Sequence, residues 1–155
     1  MPHIHEKIDF TSEVFIVHNG KVLLRKHDKY KLWLSVGGHI ELDQDPNQAA
    51  IIEAKEEVGL DIELYRDPNI PFIEMEGFQE IVPPQSMNRH RINPTHEHVT
   101  LVYFARSLTD ELKLSATEKT EECKWFSLEE LDSEKYEIND YVKFYAKSAL
   151  KKLAC

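Results

Sequence analysis

The stretch from Asp45 to Gly59, DPNQAAIIEAKEEVG, carries its own start and stop signals for a helix. Aspartate is a favoured N-cap, Pro46 fits the first helical position, and Gln48 completes a capping box. Gly59 suits the left-handed residue just past the helix end. With the ends fixed, the faces follow, because each residue advances about 100° around the axis. If Glu53 is set at zero, Glu57 falls roughly 40° to one side and Glu56 roughly 60° to the other. Three carboxylates on one narrow face repel one another and weaken the helix. Ile51, Ala54 and Val58 are expected to form the buried stripe, with Lys55 and Gln48 toward water.

Such a cluster makes sense as a metal site. Hard cations such as Mg²⁺ take carboxylate oxygens together with water and phosphate oxygens. Binding would also relieve the repulsion among the glutamates. Gly37 and Gly38, just upstream, let a backbone loop approach the helix closely and offer a carbonyl as a further ligand. A solvated acidic face is the alternative that the ExxEE spacing alone leaves open.

The rest of the chain narrows the setting. Its 155 residues are enough for one domain, residues 1–155, with a real core. A formal charge of -9 argues against general binding to nucleic-acid backbones. Cys123 and Cys155 are too few for a disulfide framework, so a cytoplasmic protein is expected. The first ten residues lack the pattern of a secretory signal, and no apolar run reaches membrane-spanning length.

Strand signals surround the helix. EVFIV and KVLLR flank Asn19-Gly20, a dipeptide suited to a type I′ hairpin turn, which predicts a hairpin over Glu13 to Arg25. LWLSV and HIE, on either side of Gly37-Gly38, read as short strands, followed by IELYR, FIEMEGFQEI, HVTLVYFAR and ECKWF. Ser127 with Glu130 forms a second capping box. From Asn139, the residues Val142, Tyr145, Ala146, Ala149, Leu150 and Leu153 recur at helical spacing. Strands mixed with two principal helices indicate a layered α/β domain. Val82 to Thr95, polar and proline-bearing, reads as a long functional loop.

Gly38 to Leu60 resembles the signature of the Nudix hydrolases, in which a glycine is followed at fixed spacing by Glu, Arg-Glu, Glu-Glu and Gly. Gly38, Glu53, Glu56, Glu57, Gly59 and Leu60 match it in place. GKVLLRK, LWLSVGGHIE and KWFSLEEL are similar to the family's flanking elements. The resemblance implies an α/β/α sandwich with a mixed sheet. It also implies Mg²⁺-dependent hydrolysis, with Mn²⁺ as an alternative, of a nucleoside diphosphate linked to another group. Water would attack phosphorus, with Glu53, Glu56, Glu57 and a carbonyl at Gly37 or Gly38 holding metal and Glu53 a candidate base. The partner implied is a small nucleotide-type diphosphate, and the assembly is left open between monomer and homodimer.

Two positions depart from that pattern. The family's first Glu is Gln44 here, an amide that cannot act as a base. Its Arg, which orients a following glutamate, is Ile52. The alternative reading is therefore a weakened module that binds nucleotides without efficient turnover. An isomerase on the same scaffold is disfavoured, because neither cysteine lies near the signature in sequence.

Further candidates lie outside the signature. Glu97 is a candidate base or ligand, placed by strand alternation on the opposite face from His96 and His98. Arg89 and Arg91, flanking His90, and Arg25 with Lys26 are candidate phosphate contacts, while Tyr30 and Trp33 could stack on a base. His96-Glu97-His98 and the N-terminal His3-Ile4-His5 could each offer two nitrogens to Zn²⁺. Neither has the spacing of a structural zinc site, so zinc is not expected.

Overall fold

The computed structural model describes residues 5–27, 31–114 and 122–154. Tyr30, Cys155 and His3 fall outside them. The expected hairpin forms between β1 (Ile8–His18) and β2 (Lys21–Lys26), with Asn19 at φ 47° and Gly20 at φ 73° in the turn. Both positive angles are what a type I′ turn demands. β1 begins well before Glu13, because its first half is claimed by other partners. Thr11 to Val14 pair antiparallel with β4 (Val36–His39), and Ile8 to Val17 run parallel to β9 (His96–Ser107). One parallel pair among antiparallel ones gives the mixed sheet, ordered β10 (Glu122–Phe126), β2, β1, β9 and β5 (Ile62–Leu64) along its main path.

The remaining strands are β3 (Trp33–Leu34), β6 (Glu74–Met75), β7 (Phe78–Gln79) and β8 (Ser86–Asn93). Several expectations change here. Gly37 and Gly38 lie inside β4 rather than between strands, and HIE is no separate strand. FIEMEGFQEI is no continuous strand but the small β6–β7 hairpin around Gly77. Much of the expected loop Val82 to Thr95 is β8, which pairs with β9 from Ser86↔Val102 to Asn93↔His96. Most of its residues are exposed and the two half-buried ones, Ser86 and Asn88, are polar, so no alternation of apolar and polar residues announces a strand.

Helix α1 (Pro46–Val58) has its predicted ends. The Asp45 side chain accepts from Gln48 N at 2.8 Å, Gln48 Oε1 accepts from Asp45 N at 2.9 Å, and Gly59 caps at φ 73°. Its buried side is Ala49, Ala50, Ala54, Glu57 and Val58. Ile51, assigned to the core stripe from sequence, is exposed, because the alanines meet the sheet instead. The short α2 (Leu128–Leu131) is capped by Ser127 and Glu130 as expected, and α3 (Asp140–Lys152) buries its predicted stripe.

The helices cover opposite faces of the sheet. Ala50, Ala54 and Val58 of α1 pack on Val14, Ile16, Leu23, Val36 and Tyr103. Val142, Tyr145, Ala146 and Ala149 of α3 pack on Phe15, Val17, Leu24, Val102 and Phe104. This is the α/β/α layering expected. Alternation then sorts every other strand residue to one face or the other. No helix among the described residues is long and apolar enough to cross a membrane.

Candidate active site

Glu53 and Glu57 of α1 face β4 and the end of β2, while Glu56, on the same turn, is exposed. Ser12 Oγ ties this region together by donating to Pro46 O at 2.9 Å, from β1 to the first turn of the helix. On β4, a Cβ at Gly38 would stand 2.5 Å from Glu53 Oε1 and 2.6 Å from its carboxyl carbon. Glycine at 38 is therefore what lets the strand backbone lie against this carboxylate. A Cβ at Gly37 would instead strike backbone, 2.5 Å from Ser12 O. The first glycine serves strand pairing and the second serves the acidic cluster.

Glu57 is 2% exposed, an unusual place for a carboxylate. Arg25 explains it, since its Nε meets Glu57 Oε2 at 2.7 Å. A guanidinium on a strand thus grips a signature glutamate, in a helix whose own arginine position is Ile52. Arg25 was a candidate phosphate contact, and the structure places it on Glu57. Lys26, the next residue, is sent by alternation to the opposite face, where it pairs in register with Trp33. Gln44 closes the turn before α1: its Oε1 accepts from Glu41 N at 3.1 Å, and its own N–H donates to Glu41 O at 3.1 Å. Ile52 is half-exposed on the helix surface.

Alternation in β9 separates Glu97 from His96 and His98, as expected, and puts Glu97 on the α1 face. Arg89 of β8 holds it with two bonds of 3.0 Å, Nε to Oε2 and Nη2 to Oε1. That bonding keeps the Glu97 carboxyl below the usual carboxylate range, with desolvation opposing and the charges of Arg89 and Arg91 assisting. Arg91 lies directly opposite Glu97 in the β8–β9 register. Two of the candidate phosphate contacts thus attend a candidate base.

Cys123 corrects a reading made from sequence. It pairs with Arg25 across the β10–β2 ladder, so it lies beside the signature in space although far from it in the chain. Burial pushes its thiol up to about 11, with Arg25 pulling it back and Glu57 adding to the rise. A thiol so raised stays protonated at neutral pH and is a poor nucleophile.

A cleft of about 330 Å³ runs past Arg25, Gly37 and Gly38 onto the α3 face, where His39, His98 and Tyr141 line it. Glu13 stands in it with Ser35 Oγ donating to its Oε2 at 2.8 Å. Burial pushes the Glu13 carboxyl up, and the Ser35 bond opposes the rise. Neither Glu13 nor His39 stood out in the sequence, because each is brought to the cleft only by the pairing of β1 with β4. Trp33, a candidate stacking residue, is buried against Phe126 and Tyr136 in the core.

Known proteins share this fold. The NUDIX domain model matches residues 10–147. A crystal structure of a NUDIX-family hydrolase from Clostridium perfringens is 34% identical, with a TM-score of 0.83, covering 94% of this chain and 97% of that one. A MutT NUDIX hydrolase from Burkholderia pseudomallei shares the fold at 20% identity and a TM-score of 0.65, over 96% of this chain and 99% of that one. An ADP-ribose pyrophosphatase from Streptococcus suis does so at 21% identity and 0.58, over 93% and 90%. No curated protein matches the chain at a significant level. A domain match across nearly the whole chain, with the acidic helix and its glycine at the centre, makes this protein a member of the NUDIX family.

Proposed function

We propose that the protein hydrolyses a diphosphate bond in a nucleoside diphosphate linked to another group, with Mg²⁺ as the working ion and Mn²⁺ as a substitute. The observation that carries this reading is the bare backbone of Gly38 against the Glu53 carboxylate. Such a cradle leaves room for oxygen donors from both chain segments at one point. Glu53, Glu56 and Glu57 with a Gly38 carbonyl supply an all-oxygen donor set, which suits a hard divalent cation. When bound, that ion would activate water and offset charge on phosphoryl oxygens.

The chain's own residues then divide the remaining work. Arg25 positions Glu57 from the strand side, in place of the arginine absent at Ile52. Glu53 and Glu97 are the candidate bases for water, Glu97 being held ionised by Arg89. Arg91 is the cation assigned to substrate phosphates, with Arg89 shared between that task and Glu97, while Lys26 is withdrawn from it because it faces away from α1. The low cysteine content suits a reducing cytoplasm.

The test is release of nucleoside monophosphate from a mixed panel of nucleoside diphosphate derivatives, with and without Mg²⁺. Glu56→Gln and Glu57→Gln should each lower the rate at least tenfold, about 1.4 kcal/mol of barrier. Full rate in both would remove the metal assignment. A second reading, binding without turnover, is favoured by Gln44 being used as a turn clasp with no carboxylate in its place. Saturable nucleotide binding with no product would support it.

A further inference from the structure

Where β1 begins beside β9, on the face away from α1, a buried carboxylate is surrounded by imidazoles. Asp9 is 0% exposed. Its Oδ2 lies 3.2 Å from His39 Nε2 and 3.2 Å from His96 Nε2, while its Oδ1 accepts from His5 N at 2.7 Å. The His98 ring stands 5.1 Å from that of His39, 5.2 Å from that of His96 and 5.7 Å from that of His90. One ligand atom each from Asp9, His39 and His98 lies within 4.8 Å of the other two.

The 3.2 Å between Asp9 Oδ2 and His39 Nε2 matches two donors on one small cation, while His96, at the same distance from Asp9, stands beside the set. A charge-assisted N–H···O bond closes to about 2.7–2.9 Å. Nitrogen and oxygen donors bound about 2.0–2.1 Å from a tetrahedral ion sit about 3.3 Å apart. The surroundings also resemble the support given to metal ligands. His96 Nδ1 lies 3.0 Å from the Glu6 carbonyl oxygen, which can only accept, so Nδ1 carries a proton and the ring is fixed against Asp9.

We propose that Asp9, His39 and His98 bind a transition-metal ion of the zinc class at a site separate from the carboxylate cluster. Two imidazoles and a carboxylate favour Zn²⁺, Co²⁺ or a related ion over Mg²⁺, which selects oxygen donors. The expectation that His96 and His98 would not take part in a zinc site rested on local spacing, whereas the ligands come from three different strands. β4 keeps the two sites apart, because Gly38 faces α1 and His39 faces the other way. His39 and His98 line the cleft, so a coordination position left open by three protein ligands faces it, available to water or to an anionic oxygen.

The experiment uses the full untagged chain, stripped with chelator and titrated with Co²⁺ in excess Mg²⁺. Uptake is read by visible absorption and by competition with Zn²⁺. One equivalent of Co²⁺ displaced by Zn²⁺ is expected. Affinity should fall at least about tenfold in His98→Gln and in His39→Gln, and be kept in His90→Gln and Glu56→Gln. If His39→Gln does not fold, half-buried His98 decides the matter alone. No uptake in excess Mg²⁺ would overturn the proposal. So would uptake kept in His98→Gln, or uptake lost in Glu56→Gln, which would move the ion to the acidic helix.

Discussion

Against α1 the sheet presents Val14, Ile16, Leu23 and Val36 to a helix whose inward side is mostly alanine. Against α3 the opposite face carries Phe15, Phe104, Trp33 and Phe126, with Tyr145 from the helix itself. The two layers serve different ends. Alanine lets a helix axis come close to the strands, and close approach holds Glu53 against β4 and Glu57 against Arg25. Aromatic residues bury more area each, and edge-to-face pairs such as Trp33–Phe126, 5.0 Å between centroids, add about 0.5–1.5 kcal/mol beyond burial. One face supplies placement and the other supplies stability.

The largest effect should come from the aromatic face. Phe126 is fully buried between Trp33 and Tyr136, so Phe126→Ala should cost about 3–5 kcal/mol in denaturant unfolding. Turnover per folded molecule should be nearly unchanged, and a collapse of turnover at temperatures where the variant is folded would break the division. Next comes Gly38→Ala. Its new methyl meets the movable end of Glu53, so the fold should hold while the rate falls about 100-fold through misplacement of that carboxylate. Gly37→Ala, aimed at backbone, should reverse the pattern and lower the melting temperature.

A smaller gain is expected on the α1 face from Gln44→Glu combined with Ile52→Arg. Initial rates should rise severalfold if the two departures weaken an otherwise complete site. No gain would mean that Arg25 already does the work of the missing arginine. The smallest effect concerns α2, remote from either function. The Lys124 hydrogen bond, with help from Ser127, holds the Glu130 carboxyl down to about 2 from an ordinary 4.5. Between those values the unfolded chain binds more protons than the folded one, so stability present above pH 4.5 drains away as pH falls toward 2. Solvent screens this partly exposed pair, so Lys124→Gln should flatten the melting profile only slightly across that window.

The legible parts of this chain were those specified locally. Asp45, Pro46, Gln48 and Gly59 announced α1 because capping is a matter of three or four neighbouring residues. Asn19-Gly20 announced the first hairpin for the same reason. β8 was hidden, since an edge strand of Arg, His and Asn after Pro83-Pro84 carries no buried face to read. The burial of Glu57 was hidden too, because its counter-charge arrives from β2. Asp9, His39 and His98 are brought together only by the pairing of β1 with β4 and β9. Helical angles placed the three glutamates on one turn, but only the strand register shows which of them Gly38 and Arg25 touch.

That register has a kinetic corollary. Thr11 and Thr100, whose hydroxyls bond at 2.6 Å, are 89 positions apart, and every rung of the β1–β9 ladder shares that separation. Closing so long a span is slow beside zipping a two-residue hairpin. The histidine constellation can therefore form only in chains where this long closure has been made, and a bound ion there would mark it as complete.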